Sequence, residues 1–247
     1  MKISLSKYRS KPLHWWLNTP LYAKRHLFRF LGKFVPMPVL SGGENDIDRL
    51  VFNAFFRSQK GGVFVEVGAA HPQVINIGAL FRRRGFRVLS IEPNPVFCEM
   101  HRAKGNEILQ YACGSQDEDN VEFCVVRVRD RGENAYDAIS SLQIKPEYAA
   151  LEAESNLEIE KIRVNLRRLD TILHQHAPDI AKIDCVSIDV EGWELEVLAG
   201  FDLKRFQPRI LIIENMSDDE KYRAYMKQQG YRLWKTIAPN EIYEREN

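Results

Sequence analysis

Two short apolar runs, each with a carboxylate at or near its end, constrain the fold of this chain more than any other feature. The first spans residues 63–67 and contains Glu66, and the second spans residues 88–91 and is followed by Glu92. Between them lies an amphipathic segment of helical length, whose apolar side carries Val74, Ile77, Leu80 and Phe81. Two buried strands joined by a helix predict a parallel βαβ unit.

The ends of these two strands predict a ligand site. In an open parallel sheet the ligand binds outside the carboxyl ends of the strands, where a glycine permits close backbone approach and an acidic residue accepts both hydroxyls of a ribose. Gly68 and Glu92 occupy these positions, but the next glycine is Gly78, so the G-x-G-x-x-G pyrophosphate motif is missing. S-adenosylmethionine, which has a ribose and an adenine without a phosphate, therefore fits better than a dinucleotide. The alternative is that Gly68 only ends a strand and Glu92 only caps a helix.

Composition narrows the class of protein. A chain of 247 residues forms one α/β domain with an appendage or two small domains, and a formal net charge of +1 argues against general nucleic-acid binding. The four cysteines lack C-x-x-C spacing, which predicts reduced, buried thiols and no zinc site, and no other metal site is predicted. No apolar run is long enough to cross a membrane and no secretory signal pattern is present, so we expect a cytoplasmic protein.

Residues 1–43 differ from the rest of the chain because they contain eight Lys and Arg residues and no Asp or Glu. Trp15 and Trp16 precede a predicted basic amphipathic helix from Pro20 to Val35. We expect a basic, aromatic helical arm. It can contact the anionic inner face of a membrane through residues 12–35, or pack on its own domain or on a second copy in a homo-oligomer, and these options stay open.

Residues 44–247 predict one α/β domain, a mostly parallel sheet with helices on both faces and a C-terminal hairpin that supplies an antiparallel edge strand. Further strands are predicted at residues 107–114, 121–128, 159–166, 183–189 and 209–214, with the hairpin over residues 231–243. Helices are predicted at residues 44–58, 94–104, 169–176, 193–198 and 218–229. Residues 135–156 show little periodicity and predict a lid or substrate-wall insertion.

A series of motifs runs through this domain in a fixed order. They are VEVGA at 65–69 followed by His71-Pro72, IEPNP at 91–95, RLDTIL at 168–173, IDVEGWE at 188–194 with VLAG at 197–200, and IIEN at 212–215. In order and spacing they resemble the FkbM family of S-adenosylmethionine-dependent methyltransferases over residues 60–245. The chain departs from that family at two places. Glu66 stands where the family mostly has Asp. Ile75 and Ile77, on either side of Asn76, stand where the family often has Ser and Thr.

The resemblance implies a Rossmann-like class I methyltransferase fold with S-adenosylmethionine as the cofactor. It implies that Glu66, Gly68 and Ala69 line the methionine part of the cofactor, with Asn76 near its amino-acid end. It also implies that Glu92, followed by Pro93, accepts the ribose hydroxyls. The adenine would be bordered by Ala112, Cys113, Gly114 and Ser115.

The resemblance also implies catalytic roles. Asp189 would lie beside the reacting sulfonium, and Glu191 or His71 would take the acceptor proton; alternatively, residues 189–191 only cap a helix. The implied reaction is O-methylation of a hydroxyl on a small, sugar-containing acceptor such as a surface-glycan or glycolipid precursor. Two other classes stay open: a Rossmann-like scaffold protein without catalysis, and a nicotinamide-dependent enzyme.

Overall fold

The computed structural model describes residues 43–128, 142 and 157–246. The predicted arm up to residue 42 and the predicted insertion at 135–156, apart from Leu142, lie outside the described residues. Within the described part of the chain, every helix is too short or too polar to cross a membrane.

Ten strands in the described residues form two sheets. The main sheet contains β1 Val63–Val67, β2 Arg87–Ile91, β3 Ile108–Leu109, β7 Cys185–Ile188, β8 Ile210–Glu214, β9 Tyr231–Ile237 and β10 Asn240–Arg245. Its order is β3-β2-β1-β7-β8-β10-β9. The second sheet contains β4 Ala112–Cys113, β5 Glu118–Val128 and β6 Leu157–Arg167 in the order β4-β6-β5.

Strand direction confirms the predicted fold class and corrects one detail. From β3 to β8 all neighbours in the main sheet pair in parallel, and β10 pairs antiparallel with both β8 and β9. The antiparallel strand β10 therefore lies next to the edge of the sheet. The edge strand β9 points in the same direction as β8 and the other parallel strands. Residues 240–243 of β10 are all buried, as expected for a strand with a neighbour on each side, whereas most of β9 is exposed at the edge.

Helices cover both faces of the main sheet. One face carries a helical segment made of α1 Ile47–Val51 between a 3₁₀ turn at Glu44–Asp46 and a π turn at Phe52–Phe56, together with α2 Gly78–Arg83. The other face carries α4 Leu169–His176, α5 Glu194–Ala199, α6 Leu203–Phe206 and α7 Glu220–Gln228. Helix α3 Pro95–Arg102 follows β2. Successive side chains of a strand alternate between faces, so Phe64 packs in the first layer while Val65 packs in the second.

Two predicted elements have different bounds in the structure. The helix after β1 begins at Gly78, because residues 68–77 form a loop in which Val74 and Ile75 are exposed and Asn76 is buried. The strand predicted at 107–114 is two short strands: β3 pairs with β2, whereas β4 leaves the main sheet and pairs with β6. This split brings the second sheet to the carboxyl edge of the main sheet.

The register of the parallel strands aligns their carboxyl ends. Val67 of β1 pairs with Ile91 of β2 and with Ile188 of β7, and Ile188 pairs with Ile213 of β8. The next position along each strand is therefore a common layer, and it holds Gly68, Glu92, Asp189 and Glu214. Three carboxylates and one glycine meet at this edge.

Candidate cofactor and acceptor site

A cavity opens at this carboxyl edge, between the main sheet and the second sheet. It encloses about 710 Å³ of space, including open solvent at its mouth. Its described lining combines two carboxylates with mostly apolar and aromatic side chains. The residues are Val67, Gly68, Ala70, Ile75, Glu92, Pro93, Phe97, Tyr111, Ala112, Cys113, Phe123, Leu142, Asp189, Val190 and Trp193.

Part of the site predicted from the sequence is gathered here. Six predicted residues belong to the described lining: Gly68, Glu92, Pro93, Ala112, Cys113 and Asp189. The others, which are Glu66, Ala69, His71, Asn76, Gly114 and Glu191, are outside that described lining. Sequence analysis missed the aromatic walls from Phe97, Tyr111, Phe123 and Trp193, because an aromatic residue in a single sequence is more often simply core. The position of Trp193 inside the IDVEGWE motif was the one available signal.

Glu92 has the geometry of a ribose acceptor. Its side chain is only 5% exposed, yet it lines the cavity. One carboxylate oxygen accepts the backbone N–H of Asn94 at 2.8 Å and the other accepts that of Ala70 at 2.9 Å. Burial raises the pKa of Glu92 to about 7, although these two N–H groups oppose the shift. A carboxylate has about four lone-pair sites, so both oxygens can still accept a hydroxyl. The helix-cap alternative is wrong, since Asn94 caps α3 by accepting the N–H of Val96.

Gly68 brings the ends of β1 and β7 together. Its φ is +79°, and a Cβ at this position would lie 1.7 Å from the carbonyl oxygen of Asp189. No side chain can be placed there without moving one of the two strand ends. Close packing of the two strand ends therefore requires a glycine here, and so does the close approach of a ligand. The missing side chain lets Asp189 lie next to residues 68–77, the cofactor loop.

Glu66 is turned to the opposite side from the cavity, into the helical layer of α2. Its carboxylate accepts the backbone N–H of Gly78 at 2.8 Å, the hydroxyl of Ser90 at 3.1 Å and the amide of Asn76 at 3.1 Å, and it pairs with Arg82 at 3.4 Å. Asn76 also donates to the carbonyl of Ala69 and accepts from Arg82. Glu66 thus supports the cofactor loop from the side away from the cavity, through Asn76 and Gly78. The contacts of Glu66, Ala69 and Asn76 with a cofactor stay predictions.

The comparisons agree with this architecture. Residues 66–233, more than half of the 247 residues, match the sequence profile of the Methyltransferase FkbM domain. The chain belongs to the FkbM methyltransferase family. The resemblance predicted from the sequence motifs is therefore confirmed.

Three known proteins are similar to parts of this chain. Methyltransferase sdnD of Sordaria araneosa is 30% identical over 88 residues, which are 32% of this chain and 34% of that protein. The crystal structure of methyltransferase FkbM from Methylobacillus flagellatus KT has a TM-score of 0.47 at 14% identity, covering 78% of this chain and 47% of that chain. The crystal structure of precorrin-6y C5,15-methyltransferase from Geobacter metallireducens GS-15 has a TM-score of 0.42 at 12% identity, covering 83% of this chain and 88% of that chain. This chain spans only part of the length of the first two proteins.

In this FkbM-family chain the IDVEGWE turn leads directly into helix α5. The helix begins at Glu194 and its N-cap position is Trp193, whose side chain makes no capping hydrogen bond. Glu194 folds back to accept the backbone N–H groups of Val190 and Gly192 at 3.0 and 2.9 Å, and it also accepts the hydroxyl of Tyr222. The N-cap position is therefore Trp193 and not a residue of 189–191, and Glu194 orients the turn that carries Asp189.

The two predicted proton acceptors lie near the cavity. Carboxylate oxygens of Glu191, Asp189 and Glu214 lie within 4.8 Å of one another, and Glu191 has a φ of +59°. His71 is half-buried, its Nδ1 accepts the backbone N–H of Gln73, and its ring meets that of Phe97 at a centroid distance of 6.4 Å. Phe97 lines the cavity, so the His71 ring lies behind a residue of the cavity wall. Their roles in proton transfer stay predictions.

One side of the cavity is an apolar wall. Phe123 and Leu142 belong to the hydrophobic cluster of the second sheet, together with Ala112. Trp193 also lines the cavity, and its indole nitrogen is buried with no acceptor among the described residues. Gly114 lies beside Trp193, and a Cβ there would lie 3.0 Å from the Leu166 side chain, so a larger residue would displace Leu166. The wall offers flat apolar surfaces and one N–H donor to a ligand.

Proposed function

We propose that this protein is an S-adenosylmethionine-dependent O-methyltransferase. The observation that carries the proposal is Glu92: a buried carboxylate, held by two backbone N–H groups, that faces the cavity at the end of β2. This is where a parallel α/β sheet binds a ribose. The cavity has no glycine-rich phosphate cradle among its described residues, which disfavours a dinucleotide.

The residues present fit this cofactor. Glu92 would accept the ribose hydroxyls, and Pro93, Ala112 and Cys113 supply an apolar border for the adenine. Burial raises the pKa of the Cys113 thiol far above its ordinary value, so this group stays neutral beside a flat base. When bound, S-adenosylmethionine supplies a methyl group activated by a sulfonium. Asp189 lies in the same layer as Gly68 and would face that positive charge.

For the reaction, the protein mainly needs to align an acceptor hydroxyl and receive its proton. Alignment in the cavity converts a bimolecular encounter into a step within one complex, and the apolar wall excludes water. The bound cofactor would supply the methyl group, and a carboxylate or imidazole of this chain would receive the proton of the acceptor hydroxyl. We propose Asp189 for positioning, and Glu191 or His71 as the proton acceptor, a role typically contributing about 10² to 10⁴ in rate.

We propose a small, sugar-containing molecule as the acceptor. Sugar rings have apolar faces that pack on aromatic side chains, and Tyr111, Phe123 and Trp193 provide such surfaces in the cavity. The buried N–H of Trp193 provides a donor for a neighbouring oxygen. These features support an acceptor that carries oxygen atoms on a compact ring.

Binding measurements test the cofactor first. Calorimetric titrations with S-adenosylmethionine, S-adenosylhomocysteine and NAD distinguish the three classes of function. We expect the first two to bind and NAD to give no signal. Binding of NAD alone would indicate a nicotinamide-dependent enzyme, and binding of none would indicate a scaffold protein. Transfer of labelled methyl groups to a panel of free sugars, glycolipids and hydroxylated small molecules then identifies the acceptor class.

A further inference from the structure

Ala70, in the cofactor loop, has an unusual backbone conformation. Its φ is +43°, in the left-handed region that residues other than glycine, asparagine and aspartate rarely adopt. Such a conformation persists only where the surrounding structure holds it, and it often marks a functional position. Ala70 lines the cavity, and its backbone N–H is one of the two N–H groups that bind the Glu92 carboxylate. The other side of that peptide group is the Ala69 carbonyl, which accepts from Asn76, so a second contact is needed to hold the peptide group that follows Ala70.

His101 supplies that second contact. It lies in the last turn of α3, its exposed fraction is 0%, and its Nε2 lies 3.1 Å from the carbonyl oxygen of Ala70. Its Nδ1 lies 3.2 Å from the side-chain amide of Asn106. A carbonyl only accepts, so Nε2 carries the hydrogen, and the Asn106 amide nitrogen only donates, so Nδ1 offers its lone pair. The contacts select one neutral tautomer, and burial lowers the pKa of His101 to about 4.

We infer that His101 is a positioning residue for cofactor binding, which holds Ala70 so that Ala70 can orient the Glu92 carboxylate toward a ribose. The chain of contacts is continuous: the His101 imidazole donates to the Ala70 carbonyl, and the Ala70 N–H donates to Glu92. The inference rests on the proposed function, because it concerns the ribose contact of that cofactor. His101 itself is outside the described lining of the cavity.

A second anchor holds both ends of the cofactor loop. Arg82, Asn76 and Glu66 hold the carbonyl of Ala69 and the N–H of Gly78. Because the Ala69 carbonyl and the Ala70 N–H belong to one peptide group, this network and His101 hold the two peptide groups on either side of Ala70. Loss of either anchor is therefore predicted to weaken ligands with and without the amino-acid part alike.

The test compares His101→Phe with His101→Gln by titration with S-adenosylhomocysteine and with adenosine. The phenylalanine variant keeps a buried ring without a donor, so both ligands should bind about tenfold more weakly, the effect of one lost hydrogen bond. The glutamine variant keeps an N–H at the end of a side chain of similar length, so its affinity should return to within about threefold of the wild type. Arg82→Met removes the donor that orients Asn76, which holds the Ala69 carbonyl, so it should also weaken both ligands.

Tyr231→Phe is the matched control. It removes a buried hydrogen bond of 2.8 Å to the carbonyl of Pro208, at the opposite edge of the sheet. It should lower the unfolding temperature while leaving both affinities unchanged.

Several outcomes would overturn the inference. Wild-type affinity in His101→Phe would remove it, and so would equal losses in the phenylalanine and glutamine variants, which would indicate packing alone. If His101→Phe does not fold, His101→Gln is compared with the wild type by hydrogen exchange at the Ala70 amide. We expect this amide to stay protected from exchange in the glutamine variant. Fast exchange together with unchanged ligand affinity would show that holding Ala70 does not matter for binding, and would reject the role. A wild-type protein that binds neither ligand would instead reject the proposed function.

Discussion

Two buried glutamates at neighbouring strand ends have opposite roles in this protein. Glu66 is the fourth residue of β1 and Glu92 directly follows β2; their exposed fractions are 4% and 5%. Glu66 is surrounded by side-chain and backbone donors in the helical layer of α2. Glu92 is held only by backbone N–H groups and lines the cavity. Similar burial therefore accompanies a supporting role in one case and a proposed ligand contact in the other.

The difference comes from position along the strand. Glu66 lies inside β1 and pairs in register with Ser90, two layers before the layer that holds Gly68 and Glu92. Side chains alternate between faces with a period of two, so Glu92 would share the face of Glu66 if β2 continued. Strand β2 ends at Ile91, however, and the Glu92 side chain is free to turn toward the crevice. The predictions below test this assignment from the largest expected effect to the smallest.

The largest effect is expected for Glu66→Ala, on stability. The change leaves Arg82 partly buried without its carboxylate, and breaking a buried ion pair in this way typically costs about 3–5 kcal/mol. Urea unfolding measures the loss. The matched control is Glu107→Ala, which breaks an exposed pair with Arg87 and should cost at most about 1 kcal/mol. Equal losses in the two variants would mean that the Glu66 network contributes no more than a surface pair.

Glu92→Ala should act on binding and not on the fold. Two charge-assisted hydrogen bonds to a ribose are worth about 2–3 kcal/mol, so the affinity for S-adenosylhomocysteine should fall by about 30- to 150-fold. Calorimetry on the variant, with circular dichroism to show that it is folded, measures this. A folded variant with unchanged affinity would place the ribose elsewhere and remove the contrast with Glu66.

Asp189→Asn should act on turnover. Asp189 faces the site from the end of β7, so its charge is expected to matter most in the transition state, and turnover should fall at least about tenfold while the affinity for S-adenosylhomocysteine changes little. The measurement uses the acceptor found by the transfer assay. Glu191→Gln and His71→Gln, assayed beside it, show which group takes the proton. Wild-type turnover in Asp189→Asn would place the chemistry elsewhere in the cavity.

The fourth prediction concerns pH. The raised pKa of Glu92, about 7, means that the ligand-free protein loses the charged acceptor as pH falls below 7. Affinity for S-adenosylhomocysteine should therefore be about tenfold weaker at pH 6 than at pH 8, and binding near pH 7 should release protons. Calorimetry in buffers of different ionisation enthalpy measures the release. Glu92→Gln should bind weakly with no such pH dependence.

The titration of Glu92 also makes the stability of the fold depend on pH, in the direction opposite to its effect on ligand affinity. Because the folded-state pKa of Glu92 is raised from 4.5, its contribution to stability is fully present below pH 4.5 and is lost as pH rises through about 7. The unfolding free energy of the wild type, relative to that of Glu92→Gln, should fall over this range. A constant difference would show that Glu92 is not the titrating group.

Much of this architecture was accessible from local sequence patterns. The strands β1, β2, β7 and β8 were predictable because parallel strands buried on both faces are continuous apolar runs. The hairpin was predictable from the Pro239-Asn240 turn, and Glu92 from its place directly after an apolar run. The four cysteines are free and buried, as their spacing predicted.

Other features were inaccessible to such patterns. The break at residues 110–111 separates two strands of similar apolar character, and only the pairing of β4 with β6 requires it. The late start of α2 follows from Asn76, which turns inward to Glu66 and ends the helical pattern of Val74 and Ile77. Phe123 reaches the cavity from β5 of the second sheet, and Leu142 reaches it from between β5 and β6, so both meet residues that are distant in sequence.

The amino-acid sequence by itself determined the parallel βαβ core, the FkbM-type motifs and the carboxylates at the sheet edge, because strand burial and turn chemistry depend on neighbouring residues. Only the tertiary structure decided which carboxylate faces the cavity, since the face of Glu66 or Glu92 depends on where its strand ends in register with others. The tertiary structure also decided that His101, 31 residues beyond Ala70, holds the cofactor loop, because that hydrogen bond forms only when α3 has packed beside it.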